Sequence, residues 1–355
     1  MQLDFSRYSC QIALPGFNQQ KQALLNQAKV LIIGAGGLGC PVALYLNAVG
    51  VGTIGIADYD VISTSNLHRQ VLYGEGDLGK KKAKVAIQLL EKQNNATKLI
   101  NHDLKVNSEN ILELIANYDV LVDCTDNFET RYLINDAAVI TCKPLVYAAI
   151  YQYEGQVAVW NVKNEEGKFS PNYRDLFPEV DAAQIPNCAE GGVIPTIAGI
   201  IGCTQANEVI KLITKSEGLL AGKLFIFNAL NLESQVIKIG NITKTSITNI
   251  KHTTNTPHVT ITELKQGLAE HQLELYDIRT NEERNDYHIG GEHIILPKFE
   301  AYFENLPPNT KKVVYCASGK RSDELVKNIK QKHPEANIFS LKGGLRAWLD
   351  EIKKV

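Results

Sequence analysis

Apolar and polar positions alternate in a regular way over the first part of the chain. Residues 30–33, Val-Leu-Ile-Ile, form a β-rich run that stops at a cluster of glycines. Residues 38–48 carry helical spacing, and Thr53–Ala57 reads as a strand that stops at Asp58. Residues 82–93 predict a helix, 119–123 a strand, 127–141 a helix and 145–149 a strand. Short apolar runs bounded by glycine or acids are strands, and longer stretches of 3.6-residue period are helices. Their alternation predicts an α/β fold, a doubly wound and mostly parallel sheet with right-handed crossovers. Residues 196–212 add an apolar helix, and 225–227 and 235–239 predict late antiparallel strands.

The pattern breaks at residues 241–257, which are rich in Thr and Asn and end in Thr-Pro. This segment reads as a linker. The expected organisation is therefore a domain over 1–240, a linker over 241–257 and a smaller α/β domain over 258–355. At roughly 100–200 residues per domain, the length suits this division.

Charge changes the picture little. The net charge is -2 and aromatics are 7% of residues. No Lys/Arg run marks a stable nucleic-acid partner. No apolar stretch is long enough for a membrane span. The first residues lack the apolar core of a signal peptide, which predicts a cytoplasmic protein. Seven cysteines occur, none spaced as CxxC. Free thiols are expected rather than a disulfide framework. Cys40, Cys124, Cys142 and Cys203 lie in apolar or helical runs and are expected to be small buried hydrophobes.

Two places carry candidate chemistry. In the first, Gly34, Gly36, Gly37 and Gly39 follow a strand and open a helix. Glycines there permit a tight turn and close approach of backbone to phosphate, and the helix start adds unpaired N–H groups. Asp58 ends the next strand, where a carboxylate can bind ribose hydroxyls. These features alone also fit a dinucleotide, so an NAD-dependent oxidoreductase stands as one reading. Three others favour ATP. Asn66 and Arg69 lie in Ser65-Asn-Leu-His-Arg-Gln70, Lys82 opens a helix, and Asp126 lies in Asp123-Cys-Thr-Asp-Asn127 at a strand end. Asp126 is the candidate Mg²⁺ ligand, which a triphosphate needs and NAD does not. Taken singly, Arg69 and Lys82 could be surface cations, and Asp126 a helix N-cap.

These motifs, with Arg7-Tyr-Ser-Cys-Gln-Ile12, Asp58-Tyr-Asp60, Arg131 and Asn187-Cys-Ala-Glu-Gly-Gly-Val193, resemble the MoeB/ThiF family of the ubiquitin-activating superfamily. The resemblance covers residues 1–240 and implies a Rossmann-like adenylation domain. It implies adenylation of the C-terminal carboxylate of a small ubiquitin-like sulfur carrier ending in Gly-Gly. It also implies ATP contacts at Gly36, Asp58, Asn66, Arg69, Lys82 and Asp126, and a homodimer. Cys10 stands where the family has a second Arg near the phosphates. The family's zinc-binding CxxC pairs are absent: Asn172-x-x-Asp175 takes the place of the first, and no zinc is expected. Cys188 lies in a polar, glycine-containing loop and is a candidate nucleophile, a resolving thiol or a structural bystander.

The second place is Cys316-Ala-Ser-Gly-Lys-Arg-Ser322, at the end of an apolar run and before a helix over 322–332. A cysteine facing backbone N–H groups at a helix start has its thiolate stabilised, and an anionic persulfide likewise. Lys320 and Arg321 add positive potential. With residues 275–279, 288–297 and 341–348, the segment 258–355 resembles a single rhodanese domain. Arg321 follows Cys316 too closely for the loop of a cysteine phosphatase. Asp277 and Arg279 read as a structural ion pair.

The combined expectation is an ATP- and Mg²⁺-dependent adenylyltransferase with sulfurtransferase activity, serving molybdopterin, thiamine or a related sulfur pathway. Its catalytic residues would be Cys316, Cys188, Asp126, Arg69, Lys82 and Arg321. The sulfur donor would be a cysteine desulfurase or thiosulfate. Two rivals share its motifs: a ligase that passes the carrier through a Cys188 thioester, and a sulfur-relay scaffold without catalysis.

Overall fold

A computed structural model describes residues 5–178, 192–250 and 256–352. It divides into two compact units, Met1–His252 and Thr253–Val355.

The first unit is built on an eight-stranded sheet. Its strands are β1 (Lys29–Ile33), β2 (Thr53–Ala57), β3 (Lys98–His102), β4 (Val120–Asp123), β5 (Leu145–Tyr151), β6 (Glu154–Trp160), β7 (Lys223–Asn228) and β8 (Ser234–Lys238). The order is β3-β2-β1-β4-β5-β6-β7-β8. The first five strands run parallel and the last three pair antiparallel. β1 alternates sides: Val30 and Ile32 enter one core layer, Leu31 and Ile33 the other. Both faces are covered, which is why this strand is a continuous apolar run. Each such fully buried aliphatic side chain contributes about 1.5–3 kcal/mol. The order in which successive strands are added reverses between the parallel neighbours β1 and β4, and ligands of open α/β sheets bind beyond the carboxyl ends at such a point.

The second unit has a five-stranded parallel sheet. Its strands are β9 (His258–Val259), β10 (Leu273–Asp277), β11 (Glu292–His293), β12 (Lys311–Tyr315) and β13 (Ile338–Leu341), in the order β11-β10-β12-β13-β9. Cys316 follows the carboxyl end of the central strand β12. No helix among the described residues is long and apolar enough to cross a membrane.

Two expectations are revised. Cys142 is exposed and turns the chain with φ +54°, because the helix Phe128–Ile140 has already ended. Cys203 is only half-buried. The segment 241–257 is also not uniform. Thr243 Oγ1 donates to Asp175 Oδ2 at 2.7 Å, and Asn172 Nδ2 donates to Thr243 Oγ1 at 2.9 Å and Thr245 Oγ1 at 2.6 Å. The Lys244 N–H donates to Asp175 Oδ1 at 2.8 Å. Asn172 and Asp175 also form a reciprocal capping box on the short helix Tyr173–Leu176. The two polar residues at the CxxC position thus tie residues 243–245 to the first unit by hydrogen bonds.

Candidate active sites

The first site lies at the reversal between β1 and β4. Gly34 leaves β1 with φ +97°, a backbone state that side chains disfavour. A Cβ on Gly34 would lie 2.6 Å from the Cys124 carbonyl oxygen, and one on Gly39 2.0 Å from that of Gly34. Only glycine allows this turn to close against the segment after β4. Gly36 and Gly37 face no backbone. Their Cβ positions would lie 3.6 Å from Gln70 Nε2 and 3.5 Å from Arg69 Cγ. Arg69 and Gln70 therefore pack beside the turn, which feeds the ten-residue helix Gly39–Ala48. That helix start offers unpaired N–H groups to an anion.

The acids gather around the same turn. Asp58 accepts the Ala35 N–H at 2.7 Å and the Asp60 N–H at 2.8 Å. Burial raises its carboxyl above the ordinary value against these bonds. Lys82 is buried, and its Nζ lies 2.9 Å from Asp60 Oδ2. Asn66 ends a short 3₁₀ turn, and Arg69 Nη1 donates to the Ser65 carbonyl at 3.1 Å. Burial pushes the Tyr59 hydroxyl up, and the charges of Asp60, Asp58 and Asp126 add to it. The cap of helix Phe128–Ile140 is Asn127, whose side chain accepts the Thr130 N–H at 2.9 Å. Asp126 is exposed and not used as that cap. An exposed carboxylate beside a glycine turn and two cations fits a magnesium nucleotide, which needs one or two protein carboxylates.

Two residues here had no sequence-derived role. Arg131 is buried; its Nε donates to Asp123 Oδ2 at 3.3 Å and its Nη2 to the Thr125 carbonyl at 3.0 Å. Tyr147 and Phe128 stack on its guanidinium at 5.1 and 5.4 Å. Gln70 is 4% exposed, and its Oε1 has no hydrogen-bond partner among the described residues. Both lay within quoted motifs, but burial is what reveals their work. At the N-terminus, Cys10 is exposed, and Arg7 Nη1 donates to the Gln93 carbonyl at 3.1 Å. Cys188 lies outside the described residues.

The second site is the loop after β12. Cys316 is fully buried, and the helix Lys320–Lys332 starts at Gly319 with φ +92°. A Cβ on Gly344 would come within 2.5 Å of both the Cys316 carbonyl oxygen and the Gly319 nitrogen. The Leu345 and Arg346 N–H groups donate to the Cys316 and Ala317 carbonyls, each at 2.9 Å. The segment after β13 thus braces the cysteine loop. Ser322 Oγ lies 3.6 Å from Cys316 Sγ and receives Ser340 Oγ at 2.8 Å. Arg321 does not stand open: both terminal guanidinium nitrogens, Nη1 and Nη2, donate to Glu283. Glu283 was legible only as the partner of Thr280 in a capping box. Asp277 and Arg279 form the expected structural pair at 2.7 Å, with Tyr315 donating to Asp277 at 2.8 Å.

Comparison with known proteins follows the same division. A model of the ThiF family matches residues 8–247, and a rhodanese-like domain matches 260–351. The probable adenylyltransferase/sulfurtransferase MoeZ of Mycobacterium tuberculosis is 36% identical, over 99% of this chain and 94% of its own. Adenylyltransferase and sulfurtransferase MOCS3 of Xenopus laevis is 45% identical over 66% of this chain and 51% of its own. The sulfur carrier protein adenylyltransferase of Thermus thermophilus is 43% identical over 64% of this chain and 84% of its own. A crystal structure of E. coli MccB shares the fold, with a TM-score of 0.61 at 23% identity over 69% of this chain and 75% of that one. The chain belongs to the ThiF family, carries a rhodanese-like domain after it, and is an adenylyltransferase/sulfurtransferase.

Proposed function

We propose that this enzyme adenylates the C-terminal glycine carboxylate of a small ubiquitin-like sulfur carrier ending in Gly-Gly. It then gives that carboxyl a sulfur atom held as a persulfide on Cys316. The observation that carries this reading is the pairing, in one chain, of two sites. One is a glycine turn ringed by Asp58, Lys82, Arg69 and an uncapping Asp126. The other is a strand-end cysteine in a braced loop.

The carrier's carboxylate attacks the α-phosphate of ATP, the bond to pyrophosphate breaks, and an acyl-adenylate forms. The helix start at Gly39 and the cations Arg69 and Lys82 stabilise charge that develops on phosphate oxygens. Asp58 orients the ribose. Asp126 would hold Mg²⁺, which neutralises the leaving pyrophosphate when bound. The terminal sulfur of the Cys316 persulfide then attacks the acyl carbon and AMP leaves. A thiol, assigned to Cys188, attacks Cys316 Sγ and releases the thiocarboxylate. Two further thiols reduce the resulting disulfide by exchange and leave as a disulfide of their own. The enzyme works as a cytoplasmic homodimer, and its sulfur enters from a donor such as a cysteine desulfurase or thiosulfate.

ATP–pyrophosphate exchange with a panel of Gly-Gly-ending carriers tests the reading. Exchange stimulated by one carrier and lost in Asp126→Ala supports it and names the carrier. No exchange with any carrier sinks it. Cys316→Ala should keep exchange and lose thiocarboxylate; if that variant still makes thiocarboxylate, the sulfur route runs elsewhere.

A further inference from the structure

The guanidinium of Arg321, in the cysteine loop, is already occupied. Arg321 Nη1 donates to Glu283 Oε2 at 2.9 Å, and Nη2 donates to Glu283 Oε1 at 2.5 Å. This is the planar two-bond fork with which arginine also grips sulfonate or phosphate. Here the fork is filled from within the protein. Glu283 is itself fixed, as its N–H donates to Thr280 Oγ1 and its carboxylate accepts the Thr280 N–H at 3.0 Å. The bonds from Arg321 hold its carboxyl below the ordinary range, so it is charged at neutral pH. The Glu283 bond is the main cause that raises the Arg321 pKa, and Cys316, five residues earlier in the same loop, adds to it. What Glu283 removes is the bidentate grip.

This bears on which donor loads Cys316. Thiosulfate is a dianion whose sulfonate needs that grip. In its reaction the Cys316 thiolate attacks the outer sulfur, the S–S bond breaks, and sulfite leaves with the electron pair. The persulfide of a protein cysteine carries a single charge on sulfur and no oxyanion at its reacting end. In its reaction the same thiolate takes the terminal sulfur and a thiolate leaves. Both steps end in a Cys316 persulfide and need no added oxidant.

We propose that Glu283 is a specificity-determining residue of the sulfurtransferase site, which fills the Arg321 fork against thiosulfate and turns the site toward cysteine-type persulfide donors. The proposal rests on the reading that Cys316 carries the sulfur.

Glu283→Gln in the full chain is the test. Gln keeps the size of the side chain and serves equally at this capping position. The first readout is the ratio of Cys316 alkylation by anionic iodoacetate to that by neutral iodoacetamide, followed by mass spectrometry. A change in folding moves both rates together, whereas removal of a charge moves the ratio. The expected rise is about five- to tenfold, as for loss of one nearby charge in a partly screened site. The second readout is KM for thiosulfate in transfer to cyanide, set against KM for loading from cysteine persulfide. The thiosulfate KM should fall by a similar factor, and the persulfide KM by less than about twofold. Adding Arg321→Lys should cancel the gain, because lysine has no fork. The proposal is overturned if both donors shift together, if the alkylation ratio stays fixed, or if the unaltered enzyme has the lower KM for thiosulfate. If neither donor places sulfur on Cys316, the sulfur-carrying reading falls and this inference with it. If both donors load it and the variant changes nothing, only the role of Glu283 falls.

Discussion

Arg131 Nη2 donates to the carbonyl of Thr125 at 3.0 Å, one residue before Asp126. The same guanidinium binds Asp123, whose Oδ1 in turn accepts the Thr125 N–H at 2.9 Å. A buried charge pair thus fixes both ends of the short turn that presents the exposed acid. Arg131→Met leaves Asp123 charged, buried and unpaired, and should cost about 3–5 kcal/mol in denaturant unfolding. Asp123→Asn together with Arg131→Met should recover most of that loss. The double variant should still need more Mg²⁺ for half-maximal pyrophosphate exchange. An unchanged Mg²⁺ requirement would show that the turn keeps its aim without the pair.

Asp126 and Asn127 are neighbours with separable work. Asn127→Ala removes the cap and should lower stability by about 1 kcal/mol while exchange persists. Asp126→Ala should leave the melting temperature within a degree or so of the parent and reduce exchange by at least about a hundredfold, the scale of losing a preorganised charge at phosphate. Melting curves and exchange rates on both variants decide it; a cap-like loss of stability in Asp126→Ala would count against its ligand role.

The glycines of the turn should differ among themselves. Gly34→Ala must place a Cβ 2.6 Å from a carbonyl oxygen at φ +97°. It should destabilise the first unit by about 1–3 kcal/mol through overpacking. Gly36→Ala meets only the end of the Gln70 side chain. It should fold normally and raise KM for ATP, because a methyl group then stands where phosphate approaches. Chemical denaturation and ATP titration separate the two, and equal stability of both variants would refute the distinction.

Asp277 gives the second unit a defined pH response. Burial alone would raise its carboxyl, but hydrogen bonds from Arg279 and Tyr315 hold it below the ordinary value of 3.8. A depressed acid stabilises the fold fully above its unfolded value and loses that contribution as pH falls through the lower folded value. Stability should therefore be flat with respect to Asp277 from neutrality to about pH 4.5, then fall toward pH 3. Asp277→Asn should cost about 3–5 kcal/mol at pH 7, because it leaves Arg279 buried without its partner. Its acid limb should be shallower than that of the parent. Thermal melts across pH, read on the second unit, would contradict this if the two acid limbs were parallel.

Much of this was legible in the residue pattern. The runs at 30–33, 53–57 and 119–123 predicted β1, β2 and β4 within a residue, because strands buried on both faces must be apolar throughout. The glycine cluster predicted the turn, since a missing Cβ is itself the structural requirement. Cys316 was readable because a strand, a cysteine and a glycine loop come in sequence order. Cys142 was not, because helix propensity does not say where the last turn ends.

The remainder was decided by contacts between segments far apart in the chain. That Asn127 rather than Asp126 caps its helix follows from backbone geometry at a single turn. That Arg321 faces Glu283, that Arg131 serves Thr125, and that Asn172 and Asp175 hold Thr243 depends on which surfaces meet after folding. The sequence by itself determined the elements, the two sites and their residue types, because periodicity, glycine and strand-end chemistry are local. Only the tertiary structure decided which charges are paired with which. Pairing is a matter of distance in space, and spacing along a chain does not encode it.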